Sequence, residues 1–244
     1  MWVPAVTGVL HFAFGYRVND ADRLREQFRR LRRRTQEPLL ICANHLTMID
    51  SAIIAGALGS PAWYLRNFAS IPWNLPERRN FAYSPLSGLA AYVMKCLPIT
   101  RGGARGDVAE VLRRFVYVLE RGDVGLVFPE GGRSRSGRVD VDGAAPGVGR
   151  IVAVLPRCTV LLVYLRGDAQ EGFSDLPARG ERFEVRLATL RPRTRSTGLR
   201  GSRDIARQIV AKLAKMEAEY FDDRKRRRRS RGSRDHAERH ASAL

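Results

Sequence analysis

The 244-residue chain is 44% hydrophobic and 28% charged, which suits one globular domain with its own core and excludes collagenous or low-complexity architecture. Its 43 Lys and Arg against 25 Asp and Glu leave a formal charge of +18, so an anionic partner is expected: nucleic acid, an anionic membrane leaflet or a phosphorylated substrate. Cys42, Cys96 and Cys158 are odd in number, lack C-x-x-C spacing and sit among apolar residues, which argues against a disulfide framework and for a reduced, cytosol-facing chain.

In chain order, Met1 to Tyr16 is apolar and aromatic but lacks a basic leading region and is broken by Pro4 and His11, so neither a signal peptide nor a spanning helix is expected. Residues 1–38 read as a surface or membrane-associated segment. Within them Asp20 to Arg34 places Leu24, Phe28 and Leu31 at helical spacing among arginines, the pattern of a basic amphipathic helix. Pro38 to Ala43 is a short apolar run, which suits a strand buried on both faces. Ser51 to Leu58 reads as a helix closed by Gly59, Ser60 and Pro61. From Trp63 to Tyr83 aromatic residues alternate with Arg66, Arg78 and Arg79, an irregular stretch suited to a membrane interface.

Ala91 to Ile99 reads as a second strand leading to Thr100-Arg101-Gly102-Gly103. Asp107 is expected to cap a helix whose Val108, Val111, Leu112, Phe115 and Leu119 share one face and whose stop is Gly122. Further strands are expected at Gly125 to Phe128, Thr159 to Leu165 and Arg182 to Leu190. A last helix from Ser202 carries Ile205, Ile209, Leu213, Met216 and Tyr220 on one stripe. Strands alternating with helices imply a single α/β domain over residues 1–221, with a mostly parallel central sheet flanked by helices and a motif-bearing core at 39–167. Beyond Asp222 apolar residues become scarce and Arg224 to Arg229 are all basic, so the tail 222–244 is expected to be disordered.

Asn44-His45-Leu46-Thr47-Met48-Ile49-Asp50 stands where the first buried strand ends. On one continuous helix, five residues at about 100° each would set His45 and Asp50 about 140° apart, on different faces. They meet only if His45 precedes the helix in a turn. Thr47-x-x-Asp50 has the spacing of an N-cap with an acid at the third helical position, which would start the helix just after His45. A base with its orienting carboxylate, and no nucleophilic serine, suits direct proton removal from a substrate hydroxyl. The plain alternative is a helix-capping Asp50 beside an ordinary loop histidine.

Phe128-Pro129-Glu130-Gly131-Gly132-Arg133-Ser134-Arg135-Ser136-Gly137 follows the next buried strand. Glycines let backbone amides approach an anion, and Arg133 and Arg135 supply forked donors that match phosphate oxygens. Arg101, in its own glycine-flanked turn, adds a third guanidinium. Glu130 among these arginines would orient them or accept a substrate hydroxyl; the plain alternative is a solvated basic loop. Cys42, three residues before His45, reads as core. No G-x-S-x-G elbow, phosphate-binding P-loop or dinucleotide fingerprint is present, and neither metal nor cofactor is expected.

The blocks Asn44-His45-x4-Asp50, Leu97-Pro98-Ile99-Thr100-Arg101 and Phe128-Pro129-Glu130-Gly131-Gly132-Arg133-Ser134 resemble, in order and spacing, those of the lysophospholipid and glycerophosphate acyltransferase family. The resemblance runs from about Leu39 to Gly167. It implies His45 as general base, Asp50 as its partner, and Arg101 with Glu130, Gly131, Arg133 and Ser134 as the acceptor-phosphate site. It also implies transfer of an acyl group from acyl-CoA or acyl carrier protein to a hydroxyl of a phosphorylated lysolipid, such as 1-acylglycerol 3-phosphate, at the cytoplasmic face of a membrane. Gly132 stands where the family commonly has Thr, and Leu162 where its fourth block has proline. Competing readings are a non-catalytic lipid-binding relative and a basic nucleic-acid-binding protein, the latter lacking any recognition helix, stacking platform or finger motif.

Overall fold

Alternation along the buried strands decides the layering. The computed structural model describes residues 2–78, 91–100, 102–155 and 157–241. Strand β2 (Leu39–Ala43) is five apolar residues, all buried, and consecutive side chains of a strand leave on opposite faces. Leu40 and Cys42 therefore enter one core, with Val160, Leu162 and Tyr164 of β5 (Thr159–Gly167). Leu39, Ile41 and Ala43 enter a second core, with Leu161, Val163 and Leu165. A sheet apolar on both faces must be covered on both, and it is.

The first core is closed by Phe115 and Leu119 of one helix (Arg105–Glu120), by Val148, Ile151 and Val152 of another (Pro146–Ala153), and by Ile205, Ile209 and Leu213 of the last (Gly198–Ala241). Leu24 and Phe28 of a basic helix (Ala21–Arg34) and Ile53, Ile54 and Leu58 of the helix Asp50–Leu58 close the second. With β1 (Arg17–Val18), β3 (Trp73–Asn74), β4 (Val124–Val127) and β6 (Arg182–Leu190), the sheet has the order β1-β6-β5-β2-β4-β3. Every pairing is parallel except β5 with β6. The expected α/β domain with a mostly parallel sheet between helices is the fold observed.

Several local expectations are corrected. Ala91 to Ile99 is not a continuous strand: Ala91–Val93 is helical, Lys95 takes φ 54°, and only isolated bridges join Cys96 to Asn74 and Ile99 to Glu77. The chain turns there because the Lys95 ammonium is drawn inward to Asp123 Oδ1 and Phe68 O, each at 2.9 Å. Asp107 does not cap its helix. It lies in the first turn, where a carboxylate still complements the helix dipole. The described part of the Trp63–Tyr83 stretch is ordered into a short helix (Pro61–Arg66), a 3-10 turn (Phe68–Ser70) and β3. Tyr64 and Trp73 there are buried and bonded, Tyr64 to Ala55 O and Trp73 to Asp123, so these two pack the fold, while Leu65 and Phe68 are exposed. Phe81 and Tyr83 lie outside the described residues.

The last helix starts at Gly198, before Ser202, and runs to Ala241, whereas a disordered tail was expected from Asp222. Its continuation past Tyr220 is tied down: Arg224 donates to Asp168 O at 2.7 Å, and Asp223 pairs with Arg186 at 2.9 Å. Arg and Lys are also good helix formers, so a basic run need not end a helix. At the other end of the chain Trp2–Phe12 forms a helix of 11 residues. Among the described residues no helix is long and apolar enough to cross a membrane.

Candidate active site

Strand β2 is flanked by β4 on one side and β5 on the other, so the connections leaving β2 and β4 run in opposite directions across the sheet. Such a reversal opens a crevice at the carboxyl ends of parallel strands, where α/β folds place their ligands. Three segments converge there: the turn after β2, the arginine loop after β4, and the loop from β5 to β6. Asn44 begins the first. Its buried amide donates to Leu165 O at 2.9 Å and accepts from Leu165 N at 2.7 Å, extending the β2–β5 ladder by one side chain.

His45 follows in a turn ahead of the helix that begins at Asp50, and Asp50 folds back to reach it. His45 Nδ1 lies 3.0 Å from Asp50 Oδ2, which also accepts from Leu46 N at 2.6 Å and Thr47 N at 2.8 Å, while the Thr47 hydroxyl donates to Oδ1. The helix therefore starts later than expected, with Ile49 and not Thr47 at its N-cap. The Thr47 spacing serves a different end: it gives Asp50 a fourth donor. A carboxylate surrounded by donors stays an acceptor, so Nδ1 carries the proton and Nε2 is the basic nitrogen. The imidazole is clamped against Phe128, ring centroids 3.8 Å apart and planes at 11°.

The arginine loop is bonded to the same turn, Ser134 N donating to His45 O at 2.9 Å. Gly131 has φ 71°, a left-handed conformation that suits glycine, and a Cβ there would stand 3.1 Å from that of Ala145. Arg133 donates to Ser174 O at 3.1 Å and to Asp175 Oδ1 at 2.6 Å. Ser134 turns inward, its hydroxyl donating to Arg138 O, and so closes the loop from within. Arg135 is exposed, and Arg101 lies outside the described residues.

Glu130 does not orient Arg133. Its Oε2 accepts from Asp140 N at 3.0 Å, and its buried Oε1 makes no close hydrogen bond. Burial raises its pKa to about 7; Glu217 and Asp140 push the same way, against the amides of Asp140 and His45. Near neutral pH this carboxyl can donate as well as accept, which fits a partner for a substrate hydroxyl better than a guanidinium anchor.

A family model described as Acyltransferase matches residues 17–165, more than half of the chain. The chain belongs to the acyltransferase family. The matched span runs from β1 almost to the end of β5 and contains both the His45–Asp50 pair and the arginine loop. No curated protein matches the chain. In this acyltransferase the thiol of Cys42 is an unsuitable nucleophile, since complete burial, with Cys158 nearby, holds its pKa well above the usual thiol range.

The converging loops also use residues that motif reading passed over. Arg166, 2% exposed, donates to Gly137 O at 2.7 Å and to Glu171 O at 2.9 Å, bracing two of the three converging loops. Its carboxylate is Glu217, at 3.5 Å, which also accepts from Arg138 Nε and Val139 N at 3.1 Å. The signal was available: a charged residue ends the apolar run of β5, and a glutamate interrupts the apolar stripe between Leu213 and Tyr220. Asp175, by contrast, sits in an exposed loop with no pattern around it.

Proposed function

We propose that this acyltransferase moves a fatty acyl group from acyl-CoA or acyl carrier protein to a hydroxyl of a phosphorylated lysolipid, such as 1-acylglycerol 3-phosphate, in phospholipid synthesis. The observation that carries the reading is the 3.0 Å bond from His45 Nδ1 to Asp50, with the arginine loop bonded to the same turn. His45 Nε2 takes the proton of the acceptor hydroxyl as its oxygen attacks the thioester carbonyl. The tetrahedral adduct collapses, the carbon–sulfur bond breaks, and the imidazolium returns the proton to the departing thiolate. Asp50 stabilises the imidazolium and keeps the ring in its tautomer. Arg133, joined by Arg101, holds the acceptor phosphate, with Glu130 beside the glycerol hydroxyls.

Two further features support a lipid acceptor. A largely apolar cavity of about 610 Å³, lined by Leu10, Phe12, Val18, Ala52, Ile53 and Phe183, runs beside the helix that Asp50 begins and has room for an acyl chain. The charge of +18, with its cationic run in the last helix, suits adsorption to the anionic, cytoplasmic face of a membrane as a peripheral protein. The test is an acceptor screen with purified protein, offering lysophosphatidic acid, neutral lysolipids and glycerol 3-phosphate with both thioester donors. Acylation of the phosphorylated lysolipid is the expected result. Binding of anionic vesicles without turnover on any acceptor would replace the enzyme with a non-catalytic lipid-binding relative.

A further inference from the structure

Arg133 does not present an empty fork. Its Nη1 donates to Ser174 O and Asp175 Oδ1, and its guanidinium carbon lies 5.6 Å from the centroid of the Phe173 ring. All three partners belong to the loop between β5 and β6. Main-chain bonds fix that loop to the dyad turn on both sides, Ser174 N to Leu46 O and Met48 N to Asp175 O, each 3.1 Å. The Asp175 carboxylate thus sits on the cation that the proposed reaction needs for its acceptor phosphate.

The two side chains differ in freedom: Asp175 is 75% exposed and Arg133 30%. An exposed carboxylate on a fixed backbone can swing into water without disturbing the turn. Ser174 O and the Phe173 ring still hold the guanidinium when it does. The carboxylate is therefore not what positions Arg133. What it changes is charge: it neutralises the guanidinium and competes with an incoming anion for the Nη1 donor. A phosphate monoester brings more charge and a bidentate match to the same fork, so it wins the exchange.

We propose that Asp175 is an internal competitor for Arg133 that sets the affinity of the acceptor site for phosphate. It occupies the guanidinium between turnovers, yields it to the phosphate of the acceptor, and takes it back as the phosphorylated product leaves. Because the product keeps the phosphate of the acceptor, release needs a group that replaces the lost contact, and Asp175 is in place to do so. The inference rests on Arg133 as the phosphate ligand.

The experiment measures binding of inorganic phosphate and of glycerol 3-phosphate to the full chain by titration calorimetry, for the parent, Asp175→Asn, Arg133→Ala and the double variant. Asp175→Asn keeps both main-chain bonds of the loop and is expected to tighten phosphate binding about fivefold, the scale of an exposed ion pair. In the Arg133→Ala background the same change is expected to do nothing. In turnover, Asp175→Asn should lower KM for a phosphorylated acceptor and leave KM for a monoacylglycerol where it was. Weaker or equal phosphate binding by Asp175→Asn, with binding still dependent on Arg133, would overturn the competitor and leave the phosphate site standing. Phosphate binding that survives Arg133→Ala at full strength would take down both.

Discussion

The two ends of β4 carry charged groups in opposite states. At its start, Asp123 is fully engaged: Oδ1 accepts from Lys95 at 2.9 Å and Oδ2 from the Trp73 indole at 3.0 Å, while Lys95 also caps Phe68 O and lies 4.5 Å from the centroid of the Phe68 ring. Arg32 adds a bond to Gly122 O at 2.9 Å. At the far end, Glu130 buries an oxygen without a close hydrogen bond, and the carboxylate on Arg133 is mostly in water. One end has answered its charges internally and acts as a brace. The other keeps them partly unanswered, the condition for meeting a substrate. Polar residues in a cleft tell function from support by whether their bonding is complete.

The contrast can be broken by substitutions at each end, and the largest effect is expected at the site. His45→Ala should lower turnover by about 10² to 10⁴ while leaving the thermal midpoint near that of the parent, since a positioned base contributes on that scale. Steady-state assays beside a melting curve decide it, and near-normal turnover would remove His45 from the chemistry. Lys95→Met should reverse the pattern. Stranding Asp123 should cost about 3 kcal/mol in denaturant unfolding, the low end for a buried pair because Asp123 keeps some contact with water, with activity per folded molecule retained. A stable but inactive Lys95→Met protein would mean that the brace also serves the reaction.

Arg133→Ala should raise KM for a phosphorylated acceptor about 10- to 100-fold, as expected for charge-assisted bonds of about 1.5 to 3 kcal/mol, and leave donor KM nearly alone. A change confined to the donor would move Arg133 to the thioester side of the site. Glu130→Gln gives the smallest and most diagnostic effect. With its pKa raised from 4.5 to about 7, the folded chain binds this proton more tightly than the unfolded one. Its stabilising contribution is therefore complete below pH 4.5 and lost as pH rises through 7. The variant should gain stability over the parent at pH 8 relative to pH 5, and parallel denaturation midpoints at the two values would show that Glu130 is not desolvated.

How much of this was legible beforehand differs by element. Strands β2, β4, β5 and β6 were readable because apolar residues there meet cores on one or both faces, the helices ending at Arg34 and Glu120 because their apolar spacing is helical, and the one ending at Leu58 because Gly59, Ser60 and Pro61 close it. The Ala91–Ile99 reading failed because its apolar residues hid Lys95, whose partners Asp123 and Phe68 are distant in sequence. That His45 and Asp50 could meet only through a turn followed from geometry, with a helix-capping Asp50 beside an ordinary loop histidine as the alternative. The donor set on Asp50 did not, because Thr47 had two uses at one spacing. Asp175 was invisible: what marks it is the bond to Arg133, and no local pattern records a contact between two loops.

The Arg166–Glu217 brace has a consequence for the order in which the molecule is made. Val139, at the foot of the arginine loop, donates to a carboxylate 78 residues further along the chain, and the same carboxylate is the charge partner of the buried Arg166. During synthesis the dyad turn and all of the parallel strands emerge before Glu217 does. Until it arrives, Arg166 has no charge to neutralise it, and a lone guanidinium resists burial. The strands can pair first, but the loops at their carboxyl ends gain this brace when the last helix docks. An unfinished chain on the ribosome therefore carries His45 and Asp50 before the arginine loop beside them is braced.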